Sequence, residues 1–297
     1  LESSTLEKVV KFYSRDLALR SAAAVTTELV RNVTATQDTS PPATIALGRL
    51  ITAAVLMATQ QKDGQRIGIR VMGDGPLGEL FVDASFEGKA RGYVQNPQAD
   101  VPLKNGQVDV GAAVGKGVIA VTRTLPFQKA PQQGIVPLVT GEISADLAGY
   151  FRQSQQTPSL IALTVSLDKD GLVTAAGGVL TELMPGASEE VLQILEKKAE
   201  AGIKLSHLLT QKSPELQMAQ AFSHQDDLVA MDHPHPVMFF CPCSMDRVER
   251  TLTLLGRATL SEMVLKSEPV LVNCEFCQKE YSVLPPRLRE LLSELEK

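Results

Sequence analysis

Apolar residues recur along this chain with two different periods, and the change from one to the other divides it. Residues 65–75, QRIGIRVMGDG, alternate, with Ile67, Ile69 and Val71 on one side, the period of a half-buried strand. GELFVDASF (78–86) and KARGYV (89–94) follow between turn signals, and GVIAVTRTL (117–125) and IVPLVTGE (135–142) read as further strands. Residues 160–186 predict a hairpin, two β-rich runs joined at Asp170-Gly171. Helices are predicted over 16–31, DLALRSAAAVTTELVR, over 41–60 behind the pair Pro41-Pro42, and over 144–155 with Ser144 as its cap. GDGPLG (73–78) and GKG (115–117) match no phosphate-binding glycine pattern and read as turns. The first 186 residues thus predict an α+β domain, a mostly antiparallel sheet with helices.

After Pro185-Gly186 the helical period takes over. SEEVLQILEKKAEAG places Ser188 at a cap and Glu189 and Glu190 in the first turn, with Val191, Leu192, Leu195 and Ala199 at helical spacing and Gly202 as the stop. A short helix over about 203–211 and a third from Pro214 complete the run, and SHQDDLVAMDHPHPV (223–237) reads as connection. Helices this short are marginal in water alone. Residues 187–238 are therefore expected to be a metastable helical linker, and 239–297 a small last domain: FFCPCS, a helix over 245–256 with Ser244 as its cap, another around 259–266, a strand pair and a terminal helix from about Pro286.

Composition narrows the function classes. The chain has 297 residues, 44% hydrophobic but only 4% aromatic and no Trp, so its core must rest on aliphatic side chains. A net charge of −5 argues against a nucleic-acid partner. The most apolar stretch, residues 44–59, is short and broken by Arg49, so no membrane span is expected. LESSTLEKVV lacks the apolar region of a signal peptide, which makes the cytosol the expected compartment. No hydrolase-type Ser-His-Asp motif appears, and no enzyme activity is expected.

The chemistry lies in the cysteines. All four fall in the last domain, as Cys241-Pro242-Cys243 and Cys274-Glu275-Phe276-Cys277. In a reducing compartment such clusters point to metal or redox chemistry, and four thiolates suit tetrahedral zinc. The second pair sits at a strand-turn-strand, the first just before a helix. His233 and His235 lie nearby, but four sulfurs already complete a tetrahedron. A permanent structural knuckle is one reading. C-x-C is, however, not the usual knuckle spacing, and C-x-x-C is a redox spacing, which keeps a labile site open. A zinc-ribbon module binding nucleic acid fits poorly, since residues 241–297 hold 8 Lys or Arg against 9 Asp or Glu. A thiol oxidoreductase lacks its βαβ context. Arg247 and Arg250 could offset an anionic centre or simply face solvent, and Phe239 and Phe240 could lock linker to last domain or simply pack.

C-x-C, a gap near thirty residues, then C-x-x-C at the C-terminal end resembles the redox-regulated thirty-three-kilodalton heat-shock chaperone family. ALGRLITAAVLMA (46–58), GDGPLGELFVDASFEGKARGYVQNP (73–97), AAGGVLTELMPG (175–186) and FFCPCS (239–244) look like its landmarks in its order. The resemblance implies a holdase that needs no nucleotide. Cys241, Cys243, Cys274 and Cys277 would hold one Zn²⁺ in the reduced, inactive state. Oxidation would form Cys241–Cys243 and Cys274–Cys277 disulfides, release zinc, unfold the linker and bare a surface for unfolding client proteins. It also implies a homodimer when oxidised.

Overall fold

The computed structural model describes residues 7–14, 16–128, 130–200, 205–223, 228–231 and 233–295. Gly202, His224, Asp226 and Asp227 lie outside these, as do the side chains of Leu192 and Ala199. Tertiary contacts group the chain into Leu1–Phe240 and Cys241–Lys297.

The first unit opens with strands β1 (Lys8–Ser14) and β2 (Leu19–Val25), then helices α1 (Thr27–Thr36) and α2 (Pro41–Thr59). The antiparallel strands β3 (Arg66–Gly73), β4 (Glu79–Ser85) and β5 (Lys89–Val94) follow. A small hairpin, β6 (Leu103–Lys104) and β7 (Gln107–Val108), leads through α3 (Val110–Val114) to β8 (Gly117–Thr124) and β9 (Gln132–Pro137). Helix α4 (Ile143–Tyr150) passes into a π-helical turn, Phe151–Gln155, before the long hairpin β10 (Ser159–Leu167) and β11 (Val173–Leu183). Helices α5 (Glu189–Glu200), α6 (Leu205–Leu208) and α7 (Pro214–Ser223) come next, and then three two-residue strands, β12 (Val229–Ala230), β13 (His235–Pro236) and β14 (Met238–Phe239).

These strands build two six-stranded sheets rather than one. The first runs β10-β11-β2-β1 with β12 and β13 both on the free edge of β1; the second runs β14-β5-β4-β3-β8-β9. Every described pairing is antiparallel except β14 on β5. The fold class stands as expected: α+β, mostly antiparallel, with a small C-terminal unit carrying the cysteines.

Helix α2 packs against strands of both sheets. Sixteen of its nineteen residues are buried, which is what a helix apolar on every side requires. By length and composition it could cross a membrane, but 89% of that stretch is buried inside the protein. Arg49, the break in its apolar run, pairs with Glu142 at 2.7 Å.

Three local expectations need correction. Residues 16–31 are not one helix. Ala22, Ala23 and Ala24 are fully buried in the central strand β2, where small side chains fit between packed layers, and the helix starts only at Thr27. Tertiary context here overrides alanine's helix preference. Helix α1 is capped from a distance: the Glu7 carboxylate accepts from the backbone N–H groups of Glu28 (2.8 Å) and Leu29 (3.1 Å). Strand β9 is shifted to Gln132–Pro137, because an edge strand tolerates glutamines and its run stops at a residue with no N–H. Glu142, not Ser144, holds the cap position of α4.

Helices α5, α6 and α7 cover the outer face of the first sheet. Val191, Leu195, Leu205, Met218 and Phe222 pack with Phe12, Leu19, Leu160, Val179 and Leu183 in a core separate from the one around α2. Burying each large side chain is worth about 1.5–3 kcal/mol, so this face holds the helices more firmly than their own propensity could.

The second unit contains α8 (Met245–Leu254), α9 (Arg257–Lys266), the hairpin β15 (Val270–Asn273) and β16 (Glu280–Val283), and α10 (Pro285–Glu294). Its core is small: Val248, Leu252, Leu260, Tyr281, Val283, Leu288 and Leu291. Arg287 ties α10 to α8 by a two-pronged bond to Glu249, at 2.8 and 3.1 Å.

Candidate metal centre

Strands β15 and β16 pair in register from Val270↔Val283 to Asn273↔Glu280. The turn between them is closed by the Cys274 N–H on the Lys279 carbonyl (3.0 Å) and the Gln278 N–H on the Cys274 carbonyl (2.8 Å). Gln278 takes a left-handed φ of 55° to complete it. Cys274 and Cys277 are thereby held on one tight turn. Cys241 and Cys243 lie on the extended segment leading into α8, where the Ser244 hydroxyl accepts from the Arg247 N–H (3.3 Å), the cap expected from the sequence.

All four sulfurs converge. Cys241 Sγ lies 3.6 Å from Cys274 Sγ, Cys243 Sγ lies 3.3 Å from Cys277 Sγ, and all four atoms fall within 4.8 Å of one another. A disulfide needs about 2.05 Å, so these are thiols. A tetrahedron with metal–sulfur bonds of about 2.3 Å has edges of about 3.8 Å, close to the separations found. The donor set therefore fits one metal ion and is compatible with Zn²⁺. Among the described residues, no other such group of cysteine, histidine and acidic side chains is found.

The electrostatics of the metal-free cluster are divided. Burial raises the Cys243 thiol, but the Tyr281 hydroxyl, 3.1 Å away, and the other three thiols donate to its sulfur and bring it down to about 7. Burial pushes Cys277 up to about 12, its sulfur neighbours adding to the effect against the Lys279 N–H. Cys241 is also raised, first by burial. Tyr281 is itself pushed up to about 12 by its bond to Cys243. One sulfur thus ionises ahead of its neighbours, and a metal held by all four must displace the remaining thiol protons, which makes its binding pH-dependent.

Tyr281 is the residue that sequence reasoning missed. Its signal was faint, an aromatic on the returning strand four residues past Cys277. No other candidate ligand is grouped with the sulfurs among the described residues. His235 pairs with Val9 in the first unit and packs edge-on against Phe86, ring centres 4.7 Å apart, while His207 and His233 are exposed. Arg247 and Arg250 are exposed on α8. Phe239 packs against the main core of the first unit, and Phe240 lies under the Lys89 ammonium, 4.9 Å from its ring centre. The glycine turns at 73–78 and 115–117 bind each other, through the Asp74 N–H on the Lys116 carbonyl and the Lys116 N–H on the Asp74 carboxylate.

Comparison with known proteins agrees with this architecture. The family model described as Hsp33 protein matches residues 7–283. A 33 kDa chaperonin of Desulforamulus reducens is 38% identical over 97% of this chain and 98% of its own length. Another, of Thermodesulfovibrio yellowstonii, is 36% identical over 98% of this chain and 100% of its own. The crystal structure of a 33 kDa chaperonin, a heat shock protein 33 homolog from Thermotoga maritima, superposes with a TM-score of 0.87 at 28% identity, covering 98% of this chain and 99% of that one. The match spans nearly the whole chain in both sequence and structure, and this chain belongs to the Hsp33 family of chaperones.

Proposed function

We propose that this protein is a redox-switched holdase that binds unfolding clients without nucleotide. The observation that carries the reading is the convergence of every cysteine of the chain on one reduced, metal-competent site. Cys241, Cys243, Cys274 and Cys277 would hold one Zn²⁺ in the resting state, and the ion would supply a structural tie rather than a reaction centre. No catalytic residue is assigned. Residues 1–186 act as the stable platform, 187–238 as the metastable linker and 239–297 as the switch.

The switch is a four-electron oxidation. Two thiolates become the Cys241–Cys243 disulfide and two become Cys274–Cys277. With hydrogen peroxide as oxidant, two molecules accept the four electrons and, with four protons, leave as four waters. The sulfurs can then no longer act as ligands. Structural zinc is worth about 10–16 kcal/mol in small peptides, against about 5–15 kcal/mol for the stability of a whole domain. A core of seven buried side chains would not survive that loss. Unfolding of the switch would free α5–α7 from the first sheet and expose the apolar face they cover. Clients are unfolded or partly unfolded proteins, the compartment is a reducing one such as the cytosol, and the oxidised form is expected to be a homodimer.

The test is to treat zinc-loaded protein with peroxide under mild heat, follow zinc with a chromophoric chelator and follow client aggregation by light scattering. Zinc release together with suppressed aggregation is expected. Retained zinc and unaltered aggregation would mark a constitutive zinc module instead. Cys277→Ser should lose zinc and free the linker with no oxidant, seen as rapid amide exchange over 205–223; a variant that binds zinc normally and keeps those amides protected would overturn the ligand set.

A further inference from the structure

A second site lies in the first unit. At the C-terminal end of α2, between the two sheets, is a cavity of about 370 Å³. Its lining mixes apolar side chains such as Met57, Val121 and Leu180 with hydrogen-bond donors. Two of those donors are buried without a partner: Arg123 Nε on β8 and Gln60 Nε2 just past α2. Buried donors are rarely left unpaired, and two lining the same cavity ask for a common acceptor. The one bond described for the Arg123 guanidinium is a long 3.5 Å contact to Gln155 Oε1, and no carboxylate pairs with it among the described residues.

The wall facing Arg123 is irregular. The π-helical turn Phe151–Gln155 forms it, a rare distortion that is frequent at functional positions. Its last side chain is fixed by a 2.7 Å bond from Gln155 Nε2 to the Tyr150 hydroxyl. Gly134 on β9 lets this turn approach, since a Cβ there would collide with Ser154 Oγ. Two features oppose an anion, Glu182 and the end of α2. Glu182 is already neutralised by Arg20 at 2.9 Å. The last carbonyls of α2 are engaged, Ala58 by the Gln61 N–H and Met57 by Gln61 Nε2. The uncompensated charge lining the cavity is the positive Arg123.

We propose that this cavity is a binding site for a small organic monocarboxylate, its oxyanion taken by Arg123 and Gln60 and its apolar body by Met57, Val121 and Leu180. The site is independent of the cysteines, so it stands or falls apart from the redox reading.

The test uses the full-length, reduced, zinc-loaded chain titrated by calorimetry with benzoate, butyrate and inorganic phosphate. One carboxylate per chain with saturable, sub-millimolar binding is expected, weakened at least tenfold by Arg123→Gln. Since that variant removes a charge from between the sheets, Gln132→Trp, at an exposed lining position of edge strand β9 opposite Arg123, serves as a second variant that blocks the cavity and leaves the core alone, and it should abolish binding. Three results would each overturn the proposal: no saturable carboxylate binding at about 10 mM, phosphate binding with carboxylates excluded, or carboxylate binding that a folded Gln132→Trp protein retains.

Discussion

Tyr281 gives the cysteine cluster a partner that spacing could not reveal. Its hydroxyl reaches Cys243 Sγ across 38 residues only because β16 pairs with β15 in one register. Groups that hydrogen-bond a metal ligand commonly contribute 10–100-fold to affinity. Tyr281→Phe should therefore weaken zinc binding by roughly tenfold or more, measured by competition with a chromophoric chelator, while zinc stoichiometry stays at one. An unchanged affinity would make the tyrosine a core residue only. The four cysteines were legible because their signal is local, two short motifs in one small domain. Tyr281 and the Arg49 partner Glu142 were not, because each contact is fixed by chain pairing far away in sequence.

The strands and helices follow the same logic. Strands β3, β4 and β5 could be read from sequence because one face of each is buried, so alternation survives, as at Ile67, Ile69 and Val71. Strand β2 could not, because it is buried almost throughout and its alanines carry no period. Strands β12 and β13 read as connection, and β14 gives no strand signal, because two-residue edge pairs are made by backbone alone. His235 makes one of them sensitive to pH. Burial first, then the Lys11 ammonium across the pair and His233, hold it below its ordinary value, against the Phe86 backbone and Glu87. The folded segment therefore disfavours the proton that an unfolded one takes up near pH 6.5. Its pairing should be complete above that value and lose stability as pH falls below it. Exchange of the Val237 amide, bonded to the Glu7 carbonyl at 2.9 Å, reports this after correction for intrinsic rates. The acid loosening should vanish in His235→Asn. Glu7, raised by burial from 4.5, acts with the opposite sign and from a lower pH upward, so the difference between wild type and His235→Asn isolates the histidine.

Across the entire protein, the decisive arrangement is a stable two-sheet platform whose outer face is covered by three short helices. Phe222 is 3% exposed and Met218 fully buried on that face. Phe222→Asp would place a charge in this second core, which is untenable without a partner. Its helix should detach while the cysteines keep their metal. The expected outcome is a reduced, zinc-loaded protein that already suppresses client aggregation in light scattering. Full zinc content with no such activity would separate the covered face from client binding. The pairing of two sheets around α2 was hidden in the sequence, since which strand lies beside which is decided by long-range contacts. The amphipathic helices and their need for a surface were visible.

The thread formed by β12, β13 and β14 runs along the border of both sheets and ends two residues before Cys241. If disorder at the cysteines spread backward through it, β1 and β5 would each lose a neighbour and present a row of bare amides and carbonyls. A denaturing polypeptide could then be held by main-chain pairing as well as by grease, which would explain how one protein restrains many sequences with nothing in common but an unfinished strand.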